Sequence, residues 1–114
     1  MKLDIESALH SVGVFSHYRG YHYLLDAVHI AAEDPEKLQS VCKEIYLPVA
    51  RKWKTSVENV EKDIRTVRNV MMKNGGMRLL SEAAGCPFWK DKAPYPKEII
   101  GIFASYFGKG SGPR

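Results

Sequence analysis

Four polar side chains in the middle of the chain have the chemistry to read base pairs. Asn59, Glu61 and Lys62 come first, and Arg65 follows one helical turn after Glu61. An amide can pair with adenine, a carboxylate can accept from cytosine, and a cationic side chain can donate to guanine or to phosphate oxygens. These groups could act together only if a helix presented them on one exposed side.

A helix over about residues 56–73 is predicted to carry them. Apolar residues spaced by four, three and four positions form its core face, away from most of the polar residues. They are Val60, Ile64, Val67 and Met71. The pattern Thr55-x-x-Glu58 is typical of a capping box, in which each side chain bonds the other residue's backbone amide. We therefore expect Thr55 to cap this helix.

A second helix precedes this one and contributes Val49, Ala50 and Trp53 to the contact between the two. The connection of Lys54 and Thr55 is too short for an antiparallel hairpin, so the helices should cross steeply, with the small Ala50 where their backbones approach. This is the helix-turn-helix arrangement, whose second helix enters the major groove. Lys54 occupies a turn position that favours glycine or asparagine, because these residues tolerate positive φ. An ordinary helical corner with a solvated outer face is the alternative.

Charge is distributed unevenly along the chain. Residues 1–50 carry a net charge of −3, residues 51–73 carry +4 and residues 74–114 carry +3. The positive field therefore begins at Arg51, which favours a polyanionic partner. A solvated basic surface without a partner is the alternative. The side chains expected to face phosphates around the helix pair are Arg51, Lys52, Lys54, Thr55, Ser56, Arg65, Thr66 and Arg68.

Length and composition predict one all-α domain. The chain has 114 residues, of which 45% are hydrophobic, and it shows no alternating β-branched run and no hairpin signal. We predict a compact domain of six or seven helices over residues 1–108, followed by a flexible tail over 109–114. Asp34 and Pro35 are expected to start one helix, and Pro48 is expected to interrupt the pattern and begin the next.

The last predicted helix is rich in apolar and aromatic residues. They are Ile99, Ile100, Ile102, Phe103, Tyr106 and Phe107, with Phe88, Trp89 and Tyr95 just before the helix. The helix is expected to close the core. The alternative is that its surplus aromatic surface forms a protein contact. A domain of this size usually binds operators as a pair, so we also expect a homodimer on DNA.

Several functional classes find no support in the sequence. No apolar run reaches the roughly 20 residues that span a bilayer, and the N-terminus lacks the apolar core of a signal peptide. The two cysteines, Cys42 and Cys86, and the four histidines show no spacing typical of a metal site. No glycine-rich phosphate loop or nucleophile–histidine group indicates an enzyme. We expect a cytoplasmic, non-enzymatic protein with free thiols and no cofactor.

A glycine–histidine loop, a tyrosine–proline step and two helical stretches stand out together. They are Gly13-Val14-x-x-His17-x-x-Gly20-Tyr21, Tyr46-x-Pro48, VARKW and TSVENVEKDIR. In combination they resemble the C-terminal effector domain of the master response regulator of sporulation in endospore-forming bacteria, the stage 0 sporulation protein A family. The resemblance runs from about Leu3 to Phe107.

The resemblance implies a six-helix domain that binds short promoter elements in duplex DNA, often as tandem copies, and acts on transcription through RNA polymerase. The family reads bases through an Arg-x-Glu-Arg group, for which this chain has Asn59, Glu61 and Lys62. Both arginines are replaced, which removes two forked donors to guanine.

Other family positions near the DNA backbone are matched in part. His10 and Arg19 match positions that approach phosphates, and Arg65 matches a family arginine near the backbone. Thr66 stands where the family has a histidine. The family's phosphorylatable receiver domain is not part of this sequence, which we interpret as a free-standing effector domain or a fragment.

The two replaced arginines motivate a second hypothesis of a different class. In this hypothesis the chain is a protein-interaction module that kept the fold and lost DNA reading. It could then titrate a full-length relative or bind RNA polymerase without contacting DNA.

Overall fold

The computed structural model describes the backbone of residues 4–84 and 94–111, and their side chains up to Phe107. All regular structure in this part of the chain is helical, which confirms the predicted all-α class. In chain order the elements are α1 (Ile5–Ser11), α2 (Arg19–Glu33), a 3₁₀ helix (Pro35–Ser40), a π-helical turn (Cys42–Tyr46), α3 (Leu47–Lys52), α4 (Val57–Lys73), α5 (Gly76–Ala84) and α6 (Pro96–Ser111). None of these helices has the length and apolarity that a membrane span requires.

Helix α1 is bounded by an N-cap at Asp4 and by a turn at Gly13. The Asp4 carboxylate accepts the backbone N–H of Ser7 at 2.7 Å, and this bond lowers the pKa of Asp4. Gly13 takes a φ of +81° just after α1, a conformation that glycine adopts at little cost. The loop that follows leads into α2, which carries Gly20 as its second residue.

Residues 35–52 form a nearly continuous helical stretch, in which α3 begins at Leu47 and holds Pro48 in its first turn, within one residue of the predicted start. Asp34 does cap its start, since its side chain accepts from the amide of Glu36. The stretch is a 3₁₀ helix and then a π-helical turn, where an α-helix was expected. Pro48 has no N–H, and in an α-helix its ring would clash with the carbonyl four residues earlier. The wider turn over Cys42–Tyr46 gives this ring room and lets the chain continue into α3.

The start of α4 corrects the predicted capping box by one residue. Ser56 is the N-cap, and its hydroxyl accepts the amide of Asn59 at 3.1 Å. The amide of Thr55 is already used, because it donates to the carbonyl of Ala50 at 2.9 Å and closes the end of α3. Glu58 therefore has no free Thr55 amide to reach back to, and the Thr55–Glu58 box does not form.

The core lies where α2 packs against α6 on one side and α4 on the other. The last helix closes this core, as predicted, with Ile99, Ile100 and Phe103 fully buried. Among the described aromatic residues of this region, Tyr95 and Tyr106 remain exposed. Phe88, Trp89 and Cys86 lie outside the described residues, and so does the end of the predicted tail, residues 112–114.

Candidate nucleic-acid interface

Helix α4 turns its polar side away from the protein. Its apolar face is buried as predicted, with Val60, Ile64, Val67 and Met71 each at most 1% exposed. The side chains exposed on the other side are Glu58, Asn59, Lys62, Arg65, Thr66 and Asn69. The buried face holds the orientation of the helix, so these polar groups face solvent.

Arg65 is exposed but paired with a neighbour on its own helix. Its guanidinium Nη2 donates to the Glu61 carboxylate at 2.9 Å, and the two side chains are 47% and 42% exposed. An exposed pair of this spacing is worth only about 0.3–0.5 kcal/mol, so it can open at little cost. The pair still occupies the carboxylate that was predicted to accept from cytosine, and one of the five donors of Arg65.

Two more polar groups of this face bond within α4 and its cap. The side-chain amide of Asn59 donates to the Thr55 hydroxyl at 3.0 Å. The Thr66 hydroxyl donates to the backbone carbonyl of Lys62 at 3.2 Å. Lys62 itself is exposed and has no carboxylate within 4 Å among the described residues. Of the three predicted base-facing side chains, Lys62 is thus the one whose donors are all available.

The turn between α3 and α4 presents two more cations. Lys54 has a φ of 55°, the left-handed conformation typical of this turn position, although it is neither glycine nor asparagine. Lys54 and Arg51 are both exposed, and neither has a carboxylate partner in the described part of the chain. Ala50 is buried at the end of α3, as expected.

Lys52 and Trp53 bind a carboxylate on α2. Asp26 accepts the Trp53 indole N–H at 2.7 Å and forms an ion pair with the Lys52 ammonium at 3.1 Å. Trp53 was predicted to contribute to the contact between α3 and α4, but it is 41% exposed. The bond to Asp26 explains the difference, because it holds the indole against the surface of α2.

Arg68 lies apart from the other predicted phosphate contacts. Its guanidinium donates twice to the Asn69 side-chain oxygen, at 3.2 and 3.0 Å, and once to the carbonyl of Pro94 at 3.3 Å. Arg68 is half-buried. It links α4 to the segment that leads into α6.

Arg19 lies near the turn, whereas His10 lies on α1. Arg19, Lys54 and Thr55 line one open groove of about 390 Å³, together with the rings of His22, Tyr23 and Trp53. His10 is exposed and stacks on Phe15 and Tyr21, with ring centroids 5.2 and 5.9 Å away. The structure therefore brings Arg19 to the cationic turn and leaves His10 in a separate aromatic stack. Burial raises the pKa of Tyr21 in this stack, and the Glu6 carboxylate adds to the effect.

Helix α2 contacts both α3 and α4 and so fixes their positions. Sequence reasoning missed these contacts. A Cβ atom at Gly20 would lie 2.2 Å from the carbonyl oxygen of Asp63, so only glycine lets α2 approach the backbone of α4 this closely. Asp26 holds the end of α3 from the same helix. A glycine so near the start of a helix was a signal for the close approach of α2 to α4. No local sequence pattern indicates that Asp26 binds the end of α3.

Three further properties bear on the chemistry of this region. Burial raises the pKa of Tyr46 to about 12, and the nearby Glu61 carboxylate adds to the shift. Among the described residues, no three His, Cys, Asp or Glu side chains are grouped so that they could hold a metal ion. Cys42 is a free, exposed cysteine.

Comparison with protein families identifies the fold. The family model described as sporulation initiation factor Spo0A, C terminal, matches residues 5–107. This match covers most of the 114-residue chain, so the chain belongs to that family, which confirms the resemblance in the sequence. The family consists of DNA-binding effector domains and is not an enzyme family.

Proposed function

We propose that this member of the Spo0A C-terminal family is a sequence-specific transcription regulator that places α4 in the major groove of duplex DNA. The observation that carries the proposal is the two-sided character of α4. One side is fully buried, and the opposite side presents Lys62 and Arg65 to solvent. A helix held in this way can enter a groove without unfolding any part of the core.

The bases would be read by Lys62, Asn59 and Glu61. Lys62 can donate to guanine as it stands. Asn59 and Glu61 would first exchange their bonds to Thr55 and Arg65 for bonds to DNA. Because a lysine donates as a point charge and lacks the fork of an arginine, we expect a weaker preference for guanine at this position than an arginine would give.

The phosphates would be held mainly around the turn. Arg19, Arg51 and Lys54 are exposed there, and none has a carboxylate partner among the described residues. Arg65 would join them when its exposed pair with Glu61 opens. Lys52 and Arg68 are weaker candidates. Lys52 is already paired with Asp26, and Arg68 already donates to the Asn69 side-chain oxygen and to the carbonyl of Pro94.

The other predicted phosphate contacts belong to the same proposal. They are His10, Thr55, Ser56 and Thr66. Binding as a pair to tandem elements, and contact with RNA polymerase, are implied by the resemblance and are also part of the proposal.

A selection from random duplexes at near-physiological salt tests this function. Wild-type protein should enrich one sequence motif. Lys62→Ala should bind that motif about 5- to 150-fold more weakly, as expected for the loss of one base contact. Lys97→Ala is the matched control, because it removes the same charge from an exposed position on α6 and should leave affinity unchanged. If wild-type protein enriches no motif, sequence-specific binding is refuted.

A protein-interaction module of the same fold is the second candidate. The observation that favours it is that two of the three predicted base-facing groups, Asn59 and Glu61, already bond to neighbours. Recovery of one stoichiometric protein partner by the wild-type domain, together with no enriched duplex, would support this function. Loss of that partner in an α4 surface variant would locate the contact.

A further inference from the structure

Asp26 makes two bonds to the end of the first helix of the pair. Its carboxylate lies on α2, and only 25% of its side chain is exposed. One oxygen accepts the Trp53 indole N–H at 2.7 Å. The Lys52 ammonium lies 3.2 Å from the other oxygen and 3.1 Å from the first. Bonds to a charged acceptor are the stronger kind of hydrogen bond in proteins.

These bonds hold the residues that set the geometry of the turn. Trp53 is the C-cap of α3, and its ring also packs against the rings of His22 and Tyr23, with centroids 5.5 and 6.0 Å apart. The next residue, Lys54, adopts the left-handed conformation, and Thr55 then closes α3 through its amide. The indole of Trp53 therefore links the position of the turn to the surface of α2.

The charge of Asp26 has the wrong sign for contact with DNA. A carboxylate beside Lys52 repels phosphates and neutralises that cation at the end of α3. On charge alone, removal of Asp26 should therefore tighten DNA binding. A contribution of Asp26 to binding would have to come from the conformation that it holds.

We infer that Asp26 is a positioning residue for DNA binding, which holds α3 and the turn on α2 so that the start of α4 is correctly presented. This inference rests on the proposed function. Without the Asp26 carboxylate, the turn should sample other arrangements. The apparent affinity should then fall in proportion to the fraction of molecules that remain competent to bind. The expected loss is about 3- to 10-fold.

The decisive comparison is between Asp26→Ala and Glu33→Ala. Both variants remove one negative charge from α2, and Glu33 is exposed at the far end of that helix. Charge alone predicts equal or tighter DNA binding for both. Positioning predicts weaker binding for Asp26→Ala only, with a salt dependence that is no shallower than that of wild type, because no phosphate contact is lost.

Rescue by a conservative variant separates positioning from general damage. Asp26→Asn keeps an oxygen that can accept the indole N–H and should bind DNA at least as tightly as wild type. Trp53→Phe keeps a ring against α2 but has no N–H, so it should lose affinity as Asp26→Ala does. The double variant should lose no more than Asp26→Ala alone, since Trp53→Phe removes a bond that Asp26→Ala has already removed.

A measurement without DNA tests the positioning of the turn separately from the proposed function. In a Trp89→Phe background, Trp53 is the one indole of the chain. Asp26→Ala should shift its fluorescence and the amide resonances of residues 52–59, whereas Glu33→Ala should shift neither. If wild type binds no duplex but these shifts appear, the proposed function fails while the positioning of the turn stands. Absence of the shifts, or tighter DNA binding by Asp26→Ala, would overturn the inference.

Discussion

Gly20→Ala should destabilise the domain by forcing α2 away from α4. An added Cβ atom would lie 2.2 Å from the carbonyl oxygen of Asp63 and 2.6 Å from a methyl carbon of Val67. Ordinary contact begins at 3.4 Å, so the two helices would have to separate locally by about 1.2 Å. The obstacle is a backbone carbonyl within a helix, which cannot rotate out of the way.

The net change in the free energy of unfolding combines the cost of overpacking with the higher helix propensity of alanine. Overpacking of this kind costs about 1–3 kcal/mol, and we take the upper end because the clash involves backbone. Alanine gains about 1 kcal/mol over glycine within a helix. The expected net loss of unfolding free energy is therefore about 2 kcal/mol, which for a chain of this size lowers Tm by about 8 °C.

Gly101→Ala is the matched control for this change. At Gly101, on α6, the nearest atom to an added Cβ is the Leu38 Cδ1 at 3.5 Å, an ordinary contact. The helix-propensity gain should therefore appear alone, as a stabilisation of about 0.5–1 kcal/mol. Thermal and urea unfolding followed by circular dichroism would measure both variants. A Gly20→Ala protein as stable as wild type would refute the close approach of α2 to α4.

Four further changes test other parts of the structure. Lys54→Gly should raise stability by about 1 kcal/mol, because it relieves a left-handed φ, yet it should weaken DNA binding through the lost charge; a stability loss in urea unfolding would contradict this. Ser56→Ala should cost about 1 kcal/mol as the true N-cap of α4, and if Thr55→Ala costs more in the same assay, the assignment of the cap is wrong. Tyr46 has a folded-state pKa raised to about 12 from 10, so its contribution to stability is present below pH 10 and is lost as pH rises towards 12. Tyr46→Phe should remove this part of the loss of stability at alkaline pH, and a variant whose stability varies with pH as wild type does would refute the raised pKa. Arg65→Ala should weaken binding to all duplexes and flatten the salt slope by about one unit per lost phosphate contact, whereas an unchanged slope would argue against a phosphate role.

The buried face of α4 could be predicted from the sequence because its signal is local. Val60, Ile64 and Val67 recur at the helical period, and the structure buries each of them. The sequence also indicated a turn position that favours positive φ, and Lys54 adopts that conformation although it is neither glycine nor asparagine. In both cases, a few neighbouring residues determine the conformation.

The misplaced cap and the exposed indole depended on distant partners. Thr55 could not donate its amide to Glu58, because that amide closes α3 on Ala50. Trp53 could not be assigned to the surface without Asp26, which lies one helix earlier in the chain. Local spacing carries no information about such partners, so the capping residue was misplaced by one and the tryptophan was assigned to the contact between the two helices.

Gly20 and Asp26 lie less than two turns apart on α2, and between them they contact both helices of the pair. The orientation of the helix-turn-helix is therefore set by a helix outside it. The side chains proposed to meet DNA, by contrast, mostly point into solvent and contribute little to the core. The resemblance implies that Asn59 and Lys62 stand where the family has arginines. Such replacements can change base preference, or abolish it, without a change of fold.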